Sequence, residues 1–219
     1  GQSFSQLVFA GWRFALAGLL VLLVAKCKKH RIIPRREEWR PILWISLFQS
    51  MIQYICYYIG LSMTTGLKGS VLSGTQTFFA LIFAHLFLRN DKLNRQKSIG
   101  CLCGLAGVLV LGMGGLNGFN LSGDGLVLLS AVSSGAGALV SRIFTPGRDP
   151  MLLTGWQLFL GGLVLYGIGA AGGGRLGTVS LPGVLLLGYM VVLSAAAFTI
   201  WTALLGKFPI GKVSLFGFL

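Results

Sequence analysis

Apolar residues dominate this chain in long runs separated by short polar stretches. A helix needs about 20 mainly apolar residues to cross a hydrocarbon core. Seven stretches meet that requirement, at about 5–25, 41–62, 70–88, 97–115, 122–141, 151–171 and 182–205. An eighth begins near Lys212 and is cut off at Leu219. Together the seven spans take up most of the 219 positions, which leaves little for a soluble domain. The pattern predicts an all-α polytopic membrane protein with about seven complete transmembrane helices. The first segment has neither a basic n-region nor an A-x-A cleavage site, so it does not read as a signal peptide.

Composition agrees with the pattern. Hydrophobic residues make up 54% and charged residues 11%, against about 25% charged in soluble domains. The formal net charge of +13 taken alone would suggest nucleic-acid binding. A mean hydropathy of +0.80 argues against it, because a soluble protein would have to hide that apolar surface in a very large core. The 33 glycines follow no collagen period, and membrane helices tolerate glycine well. Cys27, Cys56, Cys101 and Cys103 are not a disulfide scaffold.

The basic residues are distributed unevenly, and that asymmetry sets an expected topology. The loop after the first span holds Lys26, Lys28, Lys29, Arg31, Arg35, Arg36 and Arg40. Arg89, Lys92, Arg95 and Lys97 follow the third span, Arg142 and Arg148 the fifth, and Lys207 and Lys212 the seventh. These fifteen of the 18 basic residues mark the expected cytoplasmic face. Lys68 and Arg175 lie on the opposite side, and Arg13 lies inside the first span. Gly1 would then be outside, so either the chain inserts tail-first or an earlier helix is missing.

An internal repeat gives that oddity a meaning. Gly11-Trp12 matches Gly155-Trp156 at an offset of 144, and the same offset pairs Leu16 with Leu160, Gly18 with Gly162 and Leu19 with Leu163. Carried onward, it pairs Tyr54 with Phe198, Tyr57 with Trp201, Lys68 with Lys212 and Ser70 with Ser214. Matched helices lie five spans apart, an odd number, so the second copy runs through the membrane in the opposite direction. Inverted repeats of this kind are a signature of secondary transporters, whose site lies at mid-membrane between the repeats.

The run TTGLKGSVLSGTQTFFALIFAHLFLRNDKLNRQKSIGCLCGLAGVLVL (64–111) has a small-residue helix with an apolar, aromatic second half. A turn with one acidic and several basic residues follows, and then a glycine-rich helix. It resembles the end of an EamA domain of the drug/metabolite transporter superfamily, and WRFALAGLLVLL (12–23) resembles the second helix of such a domain. The resemblance implies an inverted five-plus-five helix repeat and a metabolite or amino-acid exporter in a bacterial inner membrane. Residues 1–118 would form a first repeat lacking its first helix, and 119–219 a second repeat truncated at its C-terminal end. One helix is thus expected before Gly1 and one or two after Leu219. Arg89-Asn90-Asp91 departs from the Gly-Glu that many members carry there, so no role is transferred to that acidic residue.

Candidate chemistry is sparse. Arg13, inside a span, either binds a substrate carboxylate or snorkels outward. His85 near a helix end reads as a neutral, bonded histidine. Asp124 reads as a cap at the positive end of the fifth span. Gln49, Gln53 and Tyr57 recur every four residues on the second span, with Tyr54 beside them. Ser73 and Thr77 lie on the third span, and Trp156, Gln157 and Trp201 supply counterparts in the second repeat. Such a lining suits a small zwitterionic or aromatic solute; the bland reading is interfacial aromatics and polar helix glue.

Gly100-x-x-x-Gly104 with Gly107, and the small residues Ser133 to Gly137, read as close helix packing. Cys101 and Cys103 point to different faces of their helix and read as no metal site. Glu37-Glu38 is the one acidic pair and lies in the basic loop, and His30 and His85 sit in separate segments. That leaves no constellation for an intramembrane enzyme. The expected partners are a small-molecule substrate and membrane lipid, with a homodimer left open, no nucleic acid and no cofactor. A multidrug or organic-cation exporter and a non-transporting receptor or scaffold are the alternatives.

Overall fold

The computed structural model describes residues 2–88, 120–175 and 180–216. Six helices among them are long and apolar enough to cross a membrane. They are α1 (Gln2–Cys27), α2 (Arg36–Leu61), α3 (Gly66–Phe87), α4 (Gly123–Phe144), α5 (Pro150–Ala171) and α6 (Leu181–Lys207), followed by the short α7 (Ile210–Phe216). No strand occurs among the described residues. Six of the seven expected spans fall on these helices. The expected span at 97–115, with Gly100, Cys101, Cys103, Gly104, Gly107 and the Arg89–Asp91 turn, lies outside the described residues.

Local chemistry sets where the helices begin and end. At α5 the Asp149 carboxylate accepts a hydrogen bond from Met151 N at 2.9 Å, and Pro150 opens the first turn, where its missing N–H has no helical partner to lose. Ser180 caps α6 by accepting from Gly183 N at 3.3 Å. Helix α5 ends at a turn in which Gly173 has φ +78°, a left-handed conformation that favours glycine.

Two spans are irregular. Helix α2 widens to a π turn over Leu47–Ile52, and α3 is interrupted at Thr75 between Gly66–Gly74 and Gln76–Phe87. A π turn disturbs the regular backbone pairing, and an unsatisfied carbonyl in hydrocarbon costs several kcal/mol. Here the π turn faces protein on two sides. Ser133 Oγ of α4 donates to Phe48 O at 2.7 Å, and Ser46 Oγ donates to the Gln157 backbone carbonyl of α5 at 3.1 Å.

The largest buried cluster joins α1, α5 and α6. Leu7, Ala10, Phe14, Ala17 and Val21 form the inward stripe of α1, packed with Leu158, Leu165, Val191 and Ala195. Their spacing of three and four residues is that of a packed helical seam. Lipid tails are as apolar as leucine, so this packing gains from tight van der Waals contact rather than from escape from water.

Glycine makes that contact close. A Cβ on Gly18 would lie 2.5 Å from Phe159 N and 2.6 Å from Gly155 O; one on Gly162 would lie 2.3 Å from Ala15 N and 2.8 Å from Gly11 O. Gly18 thus meets Gly155, and Gly162 meets Gly11. By contrast α6 leaves Leu185, Tyr189, Val192 and Ile200 more than half exposed, as a lipid-facing surface would be.

A buried polar lock closes the end of the bundle away from the basic loop. Asp124, 1% exposed, lies 3.6 Å from Lys68 Nζ and accepts from Asn120 N at 2.8 Å and from the Thr64 hydroxyl. Asp124 sits in the first turn of α4 as expected, where the helix dipole favours negative charge. It reaches back to Asn120 and across to α3 rather than capping its own helix.

Candidate solute-binding cavity

A cavity of about 220 Å³ opens among α2, α3, α4, α6 and α7, lined by Gln49, Gln53, Gln76, Thr77, Ala80, Ser134, Ala138, Ala197, Phe198, Trp201 and Ser214. Its position follows from the two irregular spans. The π turn of α2 carries Gln49 and is followed directly by Gln53, while the interruption of α3 is followed directly by Gln76 and Thr77. Small residues on α4 let that helix come close: a Cβ on Gly137 would lie 2.9 Å from Gln49 Cβ.

Hydrogen bonding inside the cavity is asymmetric. Ser141 Oγ donates to Gln49 Oε1 at 3.0 Å, and Ser134 Oγ donates to Gln76 Oε1 at 2.9 Å. Gln53 Oε1 and Ser214 Oγ are buried without a partner. Buried polar atoms in native proteins nearly always have a partner, so such atoms facing a cavity are places where a solute can bond. Among the described residues no charged side chain belongs to the lining.

Four of the residues singled out in the sequence meet here: Gln49, Gln53, Thr77 and Trp201. The others lie elsewhere. Tyr54 is in an aromatic wall beside the cavity, its ring 4.5 Å from Phe14 and 6.5 Å from Phe198, with Phe14 and Phe198 5.7 Å apart. Phe198 belongs to both wall and cavity. Tyr57 packs edge-on against Tyr58, and Ser73 donates to Ser70 O within its own helix.

Trp156 sits at the basic end, its indole bonded to Ile32 O at 2.9 Å and its ring against Trp39. Nearby, His30 meets Asp149 at 2.6 Å, and Glu38 is held by Arg31 and by Arg35 N. Gln157 is fully buried, its Nε2 3.4 Å from Ser50 Oγ. Arg13 packs on the aromatic wall, 6.0 Å from the Tyr54 ring centroid. Its guanidinium carbon is 4.3 Å from the Phe14 ring centroid and Nη1 bonds Met190 Sδ at 3.6 Å, a cation over an aromatic face. Arg13 makes no ion pair with a carboxylate among the described residues.

Gln76, Ser134, Phe198 and Ser214 line the cavity but were not among the site residues read from the sequence. Gln76 sits beside Thr77 and differs from it only in helical phase, which the interruption at Thr75 resets. Ser134 was legible as a small packing residue, and so was its neighbourhood; a hydroxyl serves both uses.

A model of the EamA-like transporter family matches residues 1–113 and 121–219. This chain belongs to that family. It is accordingly a multi-pass membrane protein, and several of the similar proteins carry transporter names. It is 30% identical over 165 residues to the WAT1-related protein At3g02690, chloroplastic, of Arabidopsis thaliana, covering 73% of this chain and 39% of that protein. It is 29% identical over 201 residues to the uncharacterized inner membrane transporter YedA of Escherichia coli (strain K12), covering 87% and 62%. The uncharacterized transporter YoaV of Bacillus subtilis (strain 168) matches at 25% identity, over 73% and 55%. The chain therefore spans 39–62% of the length of these relatives. One solved crystal structure shares the fold, with a TM-score of 0.78 at 17% identity, covering 95% of this chain and 74% of that one.

Proposed function

We propose that this chain belongs to a secondary transporter that exports a small neutral or zwitterionic metabolite, such as an amino acid, by alternating access. The observation that carries this reading is the cavity at the middle of the bundle, lined with polar groups from both sides of the proposed repeat boundary at 118/119. Residues of α2 and α3 come from the first repeat, and residues of α4, α6 and α7 from the second. Secondary transporters with inverted repeats hold solute at such a junction. The inverted relation is supported by the crossed glycine contacts, Gly11 to Gly162 and Gly18 to Gly155. Two copies related by a two-fold axis touch in that reciprocal way, residue i meeting the mate of j and j the mate of i.

Size supports a metabolite over a bulky drug, since drug-sized pockets run to about 300–1,000 Å³ and this one holds about 220 Å³. An organic-cation exporter is less well supported, because among the described residues the lining offers no carboxylate to balance the charge of its cargo.

The test is flux of the full-length protein carrying Gln53→Ala or Tyr57→Ala, measured by export metabolomics in expressing cells. Both variants should insert into the membrane at normal levels, and Gln53→Ala should lose most transport. Normal flux in both would sink the cavity assignment. Tyr57, packed on Tyr58 and not itself in the lining, should lose less than Gln53.

A further inference from the structure

The three cavity glutamines are not equivalent, and the difference assigns a polarity to the site. Each side-chain amide has one acceptor oxygen and two donor hydrogens. For Gln49 the oxygen is occupied by Ser141, and for Gln76 by Ser134, both hydroxyls coming from α4. Among the described residues nothing takes the hydrogens of Gln49 Nε2 or Gln76 Nε2, and both side chains line the cavity. The indole N–H of Trp201, also in the lining, has no hydrogen-bond partner there either. On the other side of the balance stand the unpartnered oxygens of Gln53 and Ser214. Among the described residues the cavity thus offers the amide hydrogens of Gln49 and Gln76 and the Trp201 indole as donors, with Gln53 Oε1 and the hydroxyl oxygens of Ser134, Ser214 and Thr77 as acceptors.

We propose that Ser134 and Ser141 are positioning residues that hold the Gln76 and Gln49 carbonyls against α4 and turn their NH2 groups into the cavity. The site thereby selects a solute bearing a carboxylate, with its ammonium taken by Gln53 Oε1 and Ser214 Oγ, and disfavours organic cations. This rests on the cavity being the solute site, as proposed above. The physical basis is that the serine bond fixes which end of each amide faces inward. Donors preorganised towards an anion in a water-poor site act more strongly than the same groups in water. A cation lacking the carboxylate leaves those donors unpaired, and unpaired buried polar groups are what discriminate between close analogues.

The experiment uses the full-length protein in proteoliposomes with two probes, L-leucine and L-leucinamide, which differ in the carboxylate alone. The wild type should prefer leucine by about tenfold, the scale of losing a hydrogen bond to a charged group. Ser141→Ala should raise the KM for leucine several-fold with a smaller change in kcat, and Ser141→Thr, which keeps the hydroxyl, should restore it. Gln49→Glu replaces the NH2 donor by an acceptor oxygen of the same shape, and should narrow or invert the preference in favour of leucinamide. That inversion is a readout no loss of folding produces.

Equal carriage of both probes by the wild type overturns the proposed polarity while leaving the cavity reading intact, provided Gln53→Ala still lowers both. An unchanged leucine preference in well-inserted Ser141→Ala and Gln49→Glu overturns the positioning role. Failure of the wild type to carry either probe overturns both readings.

Discussion

The interface between α1 and α5 and the interface between α2 and α4 are both brought close by small residues, with opposite results. Along α1 and α5 the small residues are glycines whose added Cβ atoms would collide with backbone, and the surrounding side chains are apolar and buried. Along α2 and α4 glycines again bring the helices close, Gly60 against Val127 N and Gly137 against Gln49, but three serines of α4 add hydroxyls that are spent on groups of α2 or α3: Phe48 O, Gln49 Oε1 and Gln76 Oε1. The first interface is apolar and regular. The second surrounds a π turn and leaves a polar cavity beside it. Glycine permits contact and nothing else, whereas serine permits contact and supplies a donor that tolerates irregular backbone and orients an amide.

The contrast can be broken from either side. The largest effect is expected at Gly162→Leu, whose Cβ alone would lie 2.3 Å from Ala15 N. No rotamer relieves a clash with backbone, so the loss should reach or exceed about 3 kcal/mol, the upper end for overpacking. Loss of the monodisperse peak in detergent size-exclusion chromatography checks it; a normal peak would show that α1 and α5 can separate without consequence.

Gly137→Ala is the matched insertion on the polar side. Its Cβ would meet Gln49 Cβ at 2.9 Å and Gln49 Cα and N at 3.2 Å, atoms fixed by the backbone, so α2 and α4 must shift apart by a few tenths of an ångström and the stability cost should fall within the usual overpacking range of about 1–3 kcal/mol. Transport should suffer more than stability. Thermal unfolding and leucine KM on one preparation separate the two; a large fall in melting temperature with unchanged KM would contradict the assignment.

Ser133→Ala is the smallest of the three. It removes the donor to Phe48 O, and interhelical hydrogen bonds in membranes average about 0.6 kcal/mol with a maximum near 1.7. About 1 kcal/mol is expected, because the carbonyl belongs to the π turn and has poor helical alternatives. Faster amide exchange confined to α2 around Leu47–Ile52 would be the accompanying sign, and exchange unchanged there would place the stabilisation elsewhere.

The spans were legible because the bilayer imposes a length and an apolarity that sequence alone displays. The site was legible in part. Gln49, Gln53, Thr77 and Trp201 were read as part of a polar and aromatic lining for a small solute, and the cavity contains them. Trp156 was read as their counterpart in the second repeat, yet it anchors the loop at Ile32 and Trp39. The offset of 144 read from the sequence fixes a position along a helix, but not the loop that packs over that position. Lys68 and Lys212 show the same limit: matched by the offset, the first is buried against Asp124 and the second is exposed.

Sequence by itself determined that this is a polytopic helical membrane protein, since the length of apolar runs is set by hydrocarbon thickness and not by any partner. The resemblance at 64–111 determined its family in the same local way. Tertiary structure alone decided which polar groups face one another. The π turn at Leu47–Ile52 and the interruption at Thr75 reset the helical phase of α2 and α3, and periodicity read from a regular helix cannot anticipate either. The partner that satisfies the irregular backbone, Ser133 on a helix 85 residues away in sequence, exists only once the bundle is packed.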